Sequence, residues 1–310
     1  MDLSVIIAGR EEEFFQKTIE NVLENSRGNT EVIAICDGNW PDPPIQDHPR
    51  VTIVHHTESI GQRAAVNEGA RISKSKYIMK LDAHCAVSEG FDVQLMNVCK
   101  RRNWTIIPVL YNLHAFQWVC SKCGKEYYQA DRPDTCCDVE EFTKRIIWKP
   151  RRKRKTVSWR FDKDLHFQYW HDHQKRPEAQ GQLIETMCNI GAAWFIHREQ
   201  FFKQDCLDEA HGSYGQMGVE ISCKAWLSGG KVLTCKDAWA GHMFRSNGNF
   251  SFPYPISGND QERAKQYSID FWRGNKWSKQ KYPLRYLVER FWPVNGWTQE
   301  DLDKLPCKLR

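Results

Sequence analysis

The first hundred residues predict an α/β fold: a parallel sheet whose strand ends open onto a ligand site. Short apolar runs alternate with amphipathic stretches, and two of the runs end on an aspartate, Asp37 and Asp82. Strand–helix–strand crossovers of this spacing are right-handed, make the sheet parallel, and leave ligands at the carboxyl ends of the strands. The chain contains neither G-x-x-x-x-G-K-[ST] nor G-x-G-x-x-G. That excludes the P-loop and dinucleotide-binding classes.

The elements follow in order. Ser4 to Ala8 is a continuous apolar run, the pattern of a strand covered on both faces. A helix is predicted over about Glu11 to Asn25, with Phe14, Phe15, Ile19, Val22 and Leu23 on one stripe and acidic residues in its first turn. Glu31 to Cys36 is the second strand, Arg50 to His55 the third, Gly61 to Ser73 a helix, and Tyr77 to Leu81 the fourth strand. Arg101 to Val109 leads to a further strand, Ala192 to Ile196 is another, and the C-terminal part reads as a helical, Trp-rich tail.

The chain has 310 residues, a net charge of +5 and no apolar run long enough to span a bilayer. With its first strand at Leu3, it is expected to lack a signal peptide and to be soluble and cytoplasmic. Its 12 cysteines are mostly scattered, which points to a reducing compartment.

Asp82 and His84 follow the fourth strand. Side chains two apart on an extended backbone share a face, so a carboxylate and an imidazole can grip one divalent cation there, and the cation a diphosphate. The alternative is a solvated loop after an edge strand. Cys120-x-x-Cys123 with Cys136-Cys137 a dozen residues on is spaced for a structural zinc, the fourth ligand being Cys137 or His114. Such an ion would pin an insertion that has little core of its own.

Between Lys144 and Lys155 lie eight basic residues and no acid, including Arg151, Arg152, Lys153, Arg154 and Lys155. Aromatic residues follow, Trp159 among them. Cations neutralise phosphates and aromatic faces stack on bases, so the segment suits a nucleic acid, or else is a solvated charged face.

Val5-Ile6-Ile7, Asp37-Gly38, Ala65-x-Asn67-x-Gly69 and Asp82-Ala83-His84 resemble the donor-binding half of family 2-like glycosyltransferases of GT-A fold. Tyr214-Gly215 through Glu220-Ile221-Ser222, Gly241-His242-Met243-Phe244-Arg245 and Phe250-Ser251-Phe252-Pro253 are similar to motifs of the polypeptide N-acetylgalactosaminyltransferases, in the same order. The resemblance implies that Asp82, His84 and His242 hold Mn²⁺ (or Mg²⁺) and that Arg245 contacts the diphosphate. It further implies that Ala8, Asp37, Arg63 and Asn67 serve a UDP-sugar donor, that Tyr214 lies on the acceptor side, and that Glu220 is a catalytic-site residue orienting the acceptor or the loop, the alternative for Glu220 being a helix cap. One carboxylate with two imidazoles favours Mn²⁺.

The expected organisation is a donor half over 1–110, a zinc-binding basic insertion over 111–180, an acceptor half over 181–275 and a tail over 276–310. Met217 and Gly218 stand where inverting relatives carry a glutamate–aspartate pair and where the N-acetylgalactosaminyl branch carries glutamate and asparagine. Neither can accept a proton, which argues against an inverting reaction with the usual base; the resemblance implies a retaining reaction, and the identity of the sugar stays open. The acceptor is expected to be DNA bearing 5-hydroxymethylpyrimidines, as in phage or viral genome modification. The alternatives are a peptide Ser/Thr hydroxyl and a non-catalytic, nucleic-acid-binding zinc protein.

Overall fold

The structure is a computed structural model and describes residues 1–245, 253–254 and 258–309. Its centre is β1 (Leu3–Gly9), in which Val5, Ile6 and Ile7 are wholly buried. β1 pairs in parallel with β2 (Thr30–Asp37) on one side and β4 (Tyr77–Asp82) on the other, and β3 (Val51–His56) extends the sheet beyond β2. α1 (Phe15–Asn25) and α2 (Gln62–Ile72) cover opposite faces. Gly69 lets α2 lie close on β1, since a Cβ there would stand 2.5 Å from Ile6 Cγ2.

On the far side of β4, β12 (Ala193–His197) runs antiparallel, followed by β6 (Trp104–Cys120), β13 (Lys231–His242) and β11 (Leu183–Glu185). β5 (Cys85–Val87) pairs with the end of β13, after which α3 (Phe91–Val98) packs on the sheet. The sheet therefore brings the carboxyl ends of β1, β4 and β13 to one edge. α4 (Arg198–Lys203) and α5 (Met217–Leu227) complete the second half.

β6 runs through the expected boundary at residue 110 without a break. Past the sheet it pairs with β7 (Glu126–Tyr128) and β8 (Phe142–Thr156), so the insertion is a long hairpin arm continuous with the core sheet. β8 is a charged edge strand, and such charge protects a free sheet edge from further pairing.

The aromatic stretch after the arm differs from expectation. β9 (Trp159–Phe161) and β10 (Phe167–Tyr169) form a small ribbon, and Trp159, Phe161 and Trp170 are almost fully enclosed in the main core. They pack under the tail formed by α6 (Gly258–Arg273), α7 (Leu284–Arg290) and α8 (Gln299–Asp303), with Trp297 Nε1 donating to the Phe161 carbonyl. Trp159, buried to 0% exposure, cannot meet an acceptor. Burying such large rings against the tail is worth more than leaving them for a ligand that binds only part of the time.

The first helix begins at Phe15 rather than about Glu11, because Glu11 takes a positive φ of 50° and Glu12 turns inward. No helix among the described residues is long and apolar enough to cross a membrane.

Candidate active site

The ends of β1, β4 and β13 surround a cavity of about 450 Å³. Asp82 closes β4, and Ala83 and His84 form a tight turn into β5, so the two side chains converge through that turn rather than along extended backbone. β13 delivers His242 from 160 residues away. His84 Nε2 lies 3.1 Å from His242 Nε2, which lies 3.1 Å from Asp82 Oδ2.

These separations match adjacent corners of an octahedron with metal–ligand bonds of roughly 2.1–2.3 Å, whose edges measure about 3.0–3.2 Å. Protonation also fits a cation. Glu12 Oε2 sits 2.9 Å from His84 Nδ1, the outer contact that orients a ligating imidazole with its Nε2 toward the centre. Burial lowers the His242 pKa to about 4, an effect Asp82 only partly offsets, so its ring stays neutral and able to ligate. Burial alone would raise the Asp82 carboxyl, but Lys80, His242 and His84 more than offset it and keep it ionised.

Arg245 belongs to the same cluster. Its Nη2 donates to both Glu12 oxygens at 2.9 Å, and the guanidinium is almost wholly buried. Glu12 thus ties the chain after β13 to the His84 ring. An acidic triplet at a helix start reads as dipole-complementing charge, which is why its inward-turned middle member was missed.

Lys80 was missed too, although a lysine inside an otherwise apolar strand was the signal. Its buried ammonium donates to Asp82 and, at 2.7 Å, to the Gly191 carbonyl on the cavity floor.

Ala8 lines the cavity, and so does Asp37. Asp37 accepts from Ser59 Oγ at 2.8 Å and from the Ile60 and Gly61 amides at 2.6 and 3.1 Å, so it caps the entry to α2. A carboxylate has about four acceptor positions, which leaves one for a ligand N–H. Tyr214 lines the cavity, with Phe167, Tyr169, Phe244 and Tyr254 forming an aromatic wall.

Three expected site residues lie elsewhere. Arg63 is 2% exposed and spans to Glu220 (Nε–Oε2 3.0 Å) and to the Gly212 and Gly215 carbonyls (3.0 and 2.6 Å). Asn67 binds the Leu207 backbone in both directions at 2.9 Å and so fastens α2 to the second half. Glu220, fully buried, accepts from Arg63, from Lys224 at 2.9 Å and from the Asp208 amide. Burial would raise its pKa, but Lys224, Arg63 and His211 outweigh that and lower it. None of the three lines the cavity: the charges of Arg63 and Glu220 are drawn to each other and to backbone dipoles first, and the Asn67 amide to the Leu207 backbone.

Met217 and Gly218 begin α5 against the cavity wall. A Cβ at residue 218 would stand 2.0 Å from the Asn189 carbonyl, so glycine lets the 189–191 turn press on the helix. The departure from the expected motif is therefore a repacked wall.

The five residues Arg151 to Lys155 are all exposed. The register slips between Tyr111 and Asn112, which pair with Lys155 and Arg151, so Arg152 to Arg154 bulge from the sheet. Asn112 also pairs with His242, which puts the bulge two strands, about 10 Å, from that ring. Of Phe250 to Pro253, only Pro253 is among the described residues.

Residues 4–110 match Glycosyl transferase family 2. This part of the chain is similar to the domains of that family. Polypeptide N-acetylgalactosaminyltransferase 3 of Homo sapiens is 24% identical over 216 residues, covering 68% of this chain and 30% of its own. The Drosophila melanogaster protein of the same name is 23% identical over 215 residues, covering 66% and 28%.

Among solved structures, GalNAc-T7 with UDP, GalNAc and Mn²⁺ superposes with a TM-score of 0.61 at 19% identity, covering 87% of this chain and 48% of that one. The fold is thus that of the GT-A glycosyltransferases. The chain spans less than half the length of these curated relatives.

Proposed function

We propose that the protein transfers a sugar from a UDP donor to a hydroxyl of a macromolecule with the help of Mn²⁺. The observation that carries this reading is the convergence of Asp82, His84 and His242 ligand atoms, all within 4.8 Å of one another, at the mouth of a cavity built from strand ends. A divalent ion held there would offset the charge of the leaving diphosphate. Arg245, steadied by Glu12, adds a second cation at that edge. Asp37 offers its remaining lone pair to the nucleotide base, and the aromatic wall excludes water from the transferred sugar.

The reaction is read as retaining. Of the carboxylates lining the cavity, Glu12, Asp37 and Asp82 are committed as described and Asp260 is paired with Arg263. Glu220 is sealed away, and Met217 and Gly218 offer no base. The acceptor proton is then left to the departing diphosphate. Measuring the anomeric configuration of the product by NMR tests this, and an inverted linkage would overturn it.

The acceptor we favour is a peptide Ser/Thr hydroxyl, because the sequence relatives reported above are polypeptide transferases by name. This replaces the expectation of DNA, whose stacking residue Trp159 lies in the core. DNA carrying hydroxymethylpyrimidines keeps one supporting observation, the exposed bulge beside the site, and that bulge serves an acidic peptide equally well. Incubating the protein with Mn²⁺, UDP-sugars, acidic and neutral Ser/Thr peptides, and hydroxymethylated DNA discriminates by mass spectrometry. Glycosylated DNA with unmodified peptides would overturn the choice.

A further inference from the structure

The tip of the arm holds four cysteines that the proposed transferase chemistry does not use. The Sγ atoms of Cys120, Cys123, Cys136 and Cys137 all lie within 4.8 Å of one another, and those of Cys123 and Cys137 are each 3.7 Å from Cys136. A disulfide would need about 2.05 Å. The edge of a tetrahedron with metal–sulfur bonds of 2.3 Å is about 3.8 Å.

The backbone is bent to achieve this convergence. Adjacent side chains on an extended strand point to opposite faces, so Cys136 and Cys137 should diverge. They do not, because Cys137 and Asp138 both take positive φ (52° and 61°) inside a turn closed by mutual Cys136–Val139 backbone hydrogen bonds of 2.9 and 3.0 Å. Left-handed backbone at non-glycine residues costs energy and persists where something else holds it. On the other side, the Gly124 amide donates to the Cys120 carbonyl at 3.0 Å, with Gly124 at φ 70°, and this turn brings Cys123 back beside Cys120.

Between the four cysteines the tip has almost no apolar interior. Most residues from 121 to 141 are exposed, Cys123 and Cys137 included. Cys123 and Cys136 push the Cys137 thiol up to about 12. A cation at the centre reverses that shift. His114, the other candidate ligand, is not in the cluster; it lies six residues up β6 from Cys120, about 20 Å along the strand.

We propose that these four thiolates bind one structural zinc ion that closes the tip of the arm and so holds β8 in register. The centre is all sulfur and four-coordinate, with no open position, as in structural rather than catalytic zinc sites. Four thiolates and Zn²⁺ carry a net charge of −2, and Lys122 and Lys125 stand beside them. The Lys122 ammonium donates to the Cys137 carbonyl at 3.1 Å, and the Lys125 pKa is raised chiefly by a hydrogen bond to Tyr127, with Cys136 and Cys123 adding to it. The site lies about 27 Å along β6 from the residue paired with His242, so the ion acts on the arm and not on the chemistry.

The test is metal analysis of the purified full chain under reducing conditions, with elemental mass spectrometry and a thiol-modification release assay. We expect one zinc per chain, lost in Cys123→Ser and in Cys136→Ser but kept in Asp82→Ala. Cobalt substitution is expected to give a thiolate-to-metal charge-transfer band, and zinc removal to open 121–141 to proteolysis. Because the readout is metal content, failure here leaves the transferase reading standing, and failure of transfer leaves this one standing. A zinc-free chain that resists proteolysis at the tip, iron in place of zinc, or a disulfide between Cys120 and Cys136 in peptide mapping would overturn it.

Discussion

Replacing Glu220 by glutamine separates a structural from a catalytic role for the one acid of the Glu-Ile-Ser motif. The carboxylate is wholly buried between Arg63 Nε at 3.0 Å and Lys224 Nζ at 2.9 Å. Glu220→Gln leaves two buried cations facing each other with only carbonyl partners. Breaking a buried pair from one side costs about 3–5 kcal/mol. At roughly 2 cal/mol/K of unfolding entropy per residue, 310 residues give about 0.65 kcal/mol/K, so Tm should fall by roughly 5–8 °C.

Calorimetry of the purified variant measures the drop, and adding Lys224→Met should recover part of it by removing one stranded charge. Donor hydrolysis, assayed well below the lowered Tm, should persist with a raised KM, because Arg63 also anchors the 212–215 wall. An unchanged Tm with hydrolysis abolished would refute the reasoning and return Glu220 to the chemistry.

Other expectations follow from the same geometry. Glu12→Gln removes the acceptor that orients His84 and the partner of Arg245, so Mn²⁺ affinity by calorimetric titration should weaken about 10–100-fold with the fold intact; unchanged affinity would contradict the role. His173, packed on Trp170 and Phe291, has its pKa lowered to about 4 by burial, with Arg176 adding to it. The unfolded chain takes up a proton below about pH 6.5 that the folded chain refuses, so this stability is complete above 6.5 and declines toward 4, by about 2 kcal/mol at pH 5. Urea midpoints at the two ends of that window should differ accordingly, and His173→Gln should flatten the difference.

The parallel half of the sheet was legible because strands covered on both faces must be apolar throughout, as Val5 to Ile7 are. The Asp82–His84 pair stood out by residue type, although a turn and not extended backbone brings the two together, whereas His242 came only from resemblance, since no local pattern ties it to a site 160 positions earlier. β8 was hidden because an edge strand carrying eight basic residues shows no apolar alternation, and its pairing with β6 is visible only in three dimensions. Trp159 misled for a related reason. An aromatic ring after a basic run reads as a stacking surface until the core that encloses it, shared with Phe291 and Trp297 of the tail, is seen. Arg63 and Asn67 sit on the helix where donor contacts were expected, but the charge of Glu220 and the unpaired backbone at Leu207 claim them.

The most direct test of the central claim is a crystal structure with UDP and Mn²⁺, using anomalous scattering to find the ion. The account predicts one manganese peak bonded to Asp82, His84 Nε2 and His242 Nε2 and touching the diphosphate, lost in Asp82→Ala. Nucleotide bound with no manganese between those three side chains would contradict it.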